Sequence, residues 1–440
     1  MIKGIRLLGH LRYIVMKKEF DIKEIIEGAY YPGVYIIKIK KILNERIQYN
    51  DFKEEDWRTF IHEYVHFLQD ISTSHGYIYY FHKSQMLNLA VYDIKNSSSD
   101  VIELPIQAEK TGIPNASEKQ MLLDFYNGDH QYLKFHHINE VKIDYDEVVT
   151  KLVIDETDSN NKLFAVNIYY DEGKIYQFGN ICILESMAYL IEYHLLEGEQ
   201  RINEFPYNAC EVICTHIYPE ILKTPKKIMM LAEMALMHDD CGLFFLGLLD
   251  LCAKQHLAEL DDKDFREFCI KNIDMSMENF EQYYKEAIEG IDRLFPVGFP
   301  YTGLTNMQLK IFLECGHNYR ISNKLFIADT FDSPDCTEYF RRLIDLFGLP
   351  ILIDGNDDYY GMEGTQYIPV ADAVLNILTE KLGEGCSLQE LCKKSKIGSY
   401  EKYRCTNEPW EQCKENEICP VAMYFKGYGI DYKKYKQRNH

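Results

Sequence analysis

No apolar run in this chain is long enough to cross a bilayer. The longest, from 228 to 230 continuing past 232 and from 243 to 249, are too short for that and sit in helical context. Basic residues are short as well: 48 Lys and Arg stand against 69 Asp and Glu, a net charge of −21. That balance opposes nucleic-acid binding, which rests on neutralising phosphates, and it opposes attraction to anionic membranes. It leaves solubility, or a preference for basic substrates, as its consequence. Glycine and proline are few, 25 and 13, which argues against long flexible linkers. The first residues lack the uniform apolar stretch of a signal peptide, because Lys3, Arg6 and Arg12 interrupt it, so a cytoplasmic protein is expected. No C-x₂-C pair occurs among the 13 cysteines, and Cys182, Cys214, Cys252 and Cys269 sit singly in apolar stretches, as free buried thiols do.

What is present is the composition of a folded protein. Its 440 residues are 46% hydrophobic and 13% aromatic, which suggests two or three intimately packed units. The 34 tyrosines are read as filling half-buried surface. Residues 33–40 and 46–49 read as strands, and residues 148–154 and 163–170 flank a polar turn in a hairpin pattern. From 181 to about 347 the pattern turns helical, with the clearer helices at 226–237, 243–256, 264–294 and 336–347. Pro225 suits the first turn of one of them. Residues 96–100 and 354–361 read as exposed loops. The expected class is α+β: a strand-containing part at 1–180, a helical part at 181–385 and a Cys-rich element at 386–440.

The most informative residues are His62, Glu63, Tyr64, Val65 and His66, an H-E-x-x-H pattern. Residues 54–72 contain no glycine or proline, and Trp57, Ile61, Tyr64, Leu68 and Ile71 recur on one helical face. Asp51 and Glu54 read as a cap with its reciprocal acid, while Glu55 and Asp56 add negative charge to the first turn. On a helix, positions four apart stack one turn above the other, so His62 and His66 aim two imidazoles at one ion. Glu63 stands beside them, placed to act as a base on water; this is the active-site logic of zinc peptidases.

A catalytic zinc needs a third protein ligand. The metzincin arrangement, with a third His soon after a Gly turn, is absent: Phe67, Leu68, Gln69, Asp70, Ile71 and Ser72 follow, and His75 has no Gly turn before it. The other solution is a Glu from a second helix. Residues 180–194 are apolar and carry Glu185 and Glu192 two turns apart on one face, with the small Ala188 close by.

In these two segments the chain resembles the gluzincin branch of the zincin metallopeptidases. The resemblance implies Glu185 as the third zinc ligand and Glu192 as the acid that orients a ligand histidine. Tyr193 and His194 become candidate oxyanion stabilisers. It further implies one catalytic Zn²⁺, a peptide or protein substrate paired along an edge strand beside the helix, and a cleft with residues 30–180 above and 181–385 below. No propeptide is recognisable, so control would fall to the fold, a regulatory partner or a small ligand.

Two other readings stay open. Glu63-x-x-His66 is also half of a helical di-iron carboxylate site, for which Glu314 and His317, with Glu185 and Glu233, would supply the rest; Gly316 inside that motif suggests a helix end. Alternatively the chain is a non-catalytic regulatory protein with a structural metal. The tail holds Cys386, Cys392, Cys405, Cys413 and Cys419, which could ligate a structural metal or an iron–sulfur cluster, form disulfides, or remain free.

Overall fold

The computed structural model describes residues 28–33, 35–42, 54–104, 106, 122–147, 149–150, 162–195, 203–296, 302–356, 358–361, 368–379, 386–394, 402–409, 419–430 and 434–437. The expected strand at 46–49, the Asp51 cap and Cys413 lie outside them. In chain order the elements are β1 (Gly28–Tyr31), β2 (Ile36–Ile39), α1 (Glu54–Ser72), α2 (Ser74–Asn96), β3 (Val101–Leu104), β4 (Leu133–Lys134), β5 (Ile138–Tyr145), β6 (Phe164–Tyr170) and β7 (Lys174–Phe178). Then come α3 (Asn180–Leu195), β8 (Glu204–Phe205), α4 (Ala209–Ile217), α5 (Pro225–Ala235), α6 (Cys241–Lys254), α7 (Asp262–Leu294), α8 (Thr302–Ser322) and α9 (Cys336–Phe347). The chain continues with β9 (Ile351–Ile353), β10 (Tyr359–Tyr360), α10 (Ile368–Thr379), α11 (Gln389–Lys394), α12 (Lys402–Asn407), α13 (Pro420–Gly427) and β11 (Lys434–Gln437). The class is α+β.

The sheet that matters for the site runs β1-β2-β9-β10. Its first two strands form an antiparallel hairpin, Gly28 opposite Ile39 and Tyr31 opposite Ile36. β2 then pairs in parallel with β9, Ile36 opposite Ile351, so strands from opposite ends of the chain share one sheet. All four residues of β2 are buried, as expected of an inner strand covered on both faces. β11 likewise returns to pair in parallel with β3.

Helix α1 packs against β1, β2, α2, α3 and α8, and every residue from Phe60 to Ser72 is buried. The sequence suggests an amphipathic helix; in the structure its polar side is also enclosed, and Gln69, Asp70 and Ser72 are buried there. Such groups need partners inside the protein. Ser72 has one in Arg320, whose Nε donates to the Ser72 carbonyl at 2.9 Å and whose Nη2 donates to its hydroxyl at 3.1 Å. Arg320 also pairs with Glu233, and Glu233 accepts the N–H groups of Ile327 (3.0 Å) and Ala328 (2.7 Å). Gly316 is inside α8, not at a helix end. A Cβ there would sit 2.1 Å from the Ile71 carbonyl oxygen, so glycine is what lets α8 touch α1.

Other expectations are corrected in register. β6 pairs with β5 and β7 in a three-stranded meander; of the expected strand at 148–154 only Val149 and Thr150 are described, and they are helical. In the 354–361 segment Asp354 is fully buried and accepts the N–H groups of Asn356 and Asp358, both at 2.9 Å, while Gly355 and Asn356 are exposed and β10 follows. Pro225 opens α5 at its first turn, and residues 97–100 are loop.

Candidate metal centre

Because α1 is a regular helix, His62 and His66 stack one turn apart, with ring centroids separated by 5.2 Å. Helix α3 crosses beside them and brings in Glu185. Its Oε2 lies 3.4 Å from His62 Nε2 and 3.6 Å from His66 Nε2. Ligands held about 2.0–2.2 Å from a tetrahedral zinc are themselves about 3.3–3.6 Å apart, so the spacing fits one such ion. The same oxygen is buried and has no hydrogen-bond partner, a state that costs free energy unless a cation meets it. Among the described residues these three side chains form the one group of His, Cys, Asp or Glu donors that converges tightly enough for a metal.

Each imidazole is held from behind. Glu192 Oε2 lies 2.8 Å from His62 Nδ1, and Arg58 Nε is 3.3 Å from the other Glu192 oxygen. His66 Nδ1 lies 2.8 Å from Gln69 Oε1. Gln69 spends its NH₂ on the Leu184 carbonyl at 3.2 Å, which fixes which way its amide faces and makes His66 Nδ1 the donor. Both rings therefore turn Nε2 toward Glu185, the tautomer a metal requires.

The electrostatics follow from burial among opposite charges. Burial alone would raise Glu185, but the attraction of His66 and His62 outweighs it and holds the carboxyl well below the usual range. Burial would lower both histidines; Glu185 and Glu192 push His62 well above its ordinary value, and Glu185 raises His66. A divalent ion bound there would replace the protons that these shifts favour. Glu63 is raised: burial dominates, the histidines oppose it, and Glu185 and Glu192 add to it. Strand β1 passes directly over this carboxylate, since a Cβ at Gly28 would lie 2.6 Å from Thr59 Cγ2 and 3.0 Å from Glu63 Oε1.

Two tyrosines that sequence reasoning missed face the group. Tyr132 precedes β4 and Tyr207 follows β8, and the pairing of those short strands sets the rings 5.2 Å apart. Tyr207 also lies edge-on to His62 at 5.8 Å. The charge on Glu185 raises the Tyr132 hydroxyl well above its usual value; burial, then Glu185 and Glu63, do the same for Tyr207. Tyr193 lies 6.3 Å from Tyr189, and His194 is exposed and stacked on Phe331 at 4.4 Å. Among 34 tyrosines, no pattern separates Tyr132 and Tyr207 from the others.

The di-iron set is not assembled. Glu233 belongs to Arg320, Glu314 is exposed, and His317 stacks on Tyr284 and contacts Glu281 at 3.1 Å. None of the twelve described cysteines is in a disulfide. In the tail the N–H of Cys386 donates to the Cys405 carbonyl at 2.7 Å, and Cys392 and Cys419 lie in the same neighbourhood. Burial pushes the Cys392 thiol up to about 12 and that of Cys386 higher still. No three of these four sulfurs converge as His62, His66 and Glu185 do. No described helix is long and apolar enough to cross a membrane. Comparison with protein-family models, curated proteins and solved structures finds no match to this chain.

Proposed function

We propose that this chain is a zinc-dependent metallopeptidase with a zincin-like core of the gluzincin type. The observation that carries the reading is the unpartnered Glu185 oxygen, set at tetrahedral ligand spacing from two Nε2 atoms with Glu63 alongside. Three protein donors leave a fourth position for chemistry, whereas a structural zinc takes four. Zinc bound there supplies Lewis acidity, polarising a scissile carbonyl and lowering the pKa of water.

The chain's own groups do the rest. Glu63, raised from the ordinary carboxylate range, takes the proton from the attacking water and passes it to the leaving amine. Tyr132 and Tyr207 keep their protons at neutral pH and donate to the oxygen that gains charge as the carbonyl is attacked. β1 is the outer strand of its sheet among the described residues and runs across Glu63, so an extended peptide pairing with its outer edge would lie at the reacting group. Twelve described cysteines outside disulfides suit a reducing, cytoplasmic setting.

The test is metal content together with cleavage of a mixed peptide library. Wild type is expected to hold about one zinc and to cleave, with chelation abolishing cleavage. Glu63→Gln should keep the zinc and lose about 10²–10⁴-fold in turnover. His62→Ala should lose both. Full cleavage by Glu63→Gln would overturn the mechanism, and two irons per chain would overturn the metal.

A further inference from the structure

One turn beyond His66 the active-site helix buries two consecutive polar residues, Gln69 at 0% and Asp70 at 5% exposure. Buried polar side chains persist where their partners compensate, and these two have different partners. Gln69 uses both ends of its amide. Oε1 faces His66 Nδ1 at 2.8 Å, and Nε2 donates at 3.2 Å to the carbonyl of Leu184, the residue immediately before Glu185. It is thus a spacer of fixed length between one ligand's ring and the backbone carrying another. Sliding α3 along α1 would break it.

Asp70 turns to the other neighbour. Its Oδ2 accepts from the Tyr30 hydroxyl at 2.8 Å and from the Gly33 N–H at 3.1 Å, one on β1 and one in the turn after it. The Tyr30 ring lies nearly parallel to His66, centroids 6.0 Å apart at 24°. Gly28, two residues earlier and on the same strand face, is the point of closest approach to Thr59 and Glu63. The strand is therefore held against α1 at two places, and Asp70 is the hydrogen-bonding one.

We infer that Gln69 and Asp70 are positioning residues with divided tasks: Gln69 sets Glu185 against His66, and Asp70 sets the substrate-pairing strand against the helix. The inference rests on the zinc-peptidase reading and adds to it a separation of metal affinity from peptide affinity between two adjacent residues.

The experiment measures zinc affinity by competition with a fluorescent chelator, and KM at saturating zinc for the fastest-cleaved peptide of the library. Gln69→Met keeps the volume and loses both hydrogen bonds; zinc affinity should fall about 10–100-fold while KM stays within about twofold. Gln69→Glu keeps the acceptor for His66 and loses the donor to Leu184, so its loss should be smaller. Asp70→Ala should raise KM about tenfold with zinc affinity unchanged, and Tyr30→Phe should move KM the same way by less. Asp70→Asn keeps an oxygen for both donors and should restore KM; this variant and Tyr30→Phe hold the test if Asp70→Ala does not fold. Parallel losses of zinc and peptide affinity in both sets would reduce the two residues to ordinary core and overturn the inference alone. A wild-type chain that binds no zinc overturns it together with the reading beneath it.

Discussion

Glu185 and Glu233 are both glutamates in apolar helices, and the protein treats them in opposite ways. Glu233, at 0% exposure, is satisfied within the chain by Arg320 and by the N–H groups of Ile327 and Ala328. Glu185 faces two imidazoles at 3.4 and 3.6 Å and keeps one oxygen without a hydrogen bond. One carboxylate is closed and the other held open. A buried charge with every partner supplied is architecture; one with a gap of ionic size points outward to a ligand.

The sharpest way to break the comparison is to remove a partner from the closed pair. Arg320→Met leaves Glu233 buried without its counter-charge, and unfolding experiments in urea should show a loss of about 3–5 kcal/mol. Replacing both members by apolar residues should recover much of it. Glu185→Gln should cost less in zinc-free protein, because the two histidines it leaves can give up their protons and no buried charge stays uncompensated. Equal costs would erase the distinction.

The same contrast is found among the histidines. His62 is pushed up by Glu185 and Glu192, whereas His75, buried without a counter-charge, is lowered to about 4. A histidine depressed on folding contributes stability that is complete above its unfolded value near 6.5 and is lost as pH falls toward 4. For this shift the loss is about 3 kcal/mol. Stability measured across that window should therefore fall less steeply for His75→Gln than for wild type. Parallel curves would mean that His75 is not kept neutral by the fold.

Zinc itself gives the third test. At free zinc about 100 times the dissociation constant, wild type should gain about 2.7 kcal/mol. A folded Glu233→Gln should gain the same and Glu185→Gln almost nothing. Stabilisation of all three alike would place the metal elsewhere.

The open site was more legible in the sequence than its supports. The existence of α1 follows from residues 54–72 lacking helix breakers, and Glu185 is visible as an acid in an apolar helix. Gln69 was not, because its meaning lies in a carbonyl on another helix. The parallel pairing of β2 with β9 was equally hidden, since a three-residue strand carries no period to read and its partner lies near the other end of the chain. The partner of β6 carries a period of its own: Val141, Ile143 and Tyr145 alternate with Lys142 and Asp144, a strand signal weaker than the apolar run at 148–154.

That parallel pairing has a consequence in time. The strand passing over Glu63 rests on β2, and β2 has no inner neighbour until Ile351–Ile353 has been made. At about 5–20 residues per second, synthesis from Glu63 to Ile353 takes roughly 15–60 s. Through that interval the nascent chain carries both histidines and the glutamate, while the sheet that frames them waits for its third strand. The sheet beside the site is a late product of translation, although the site's most recognisable residues emerge early.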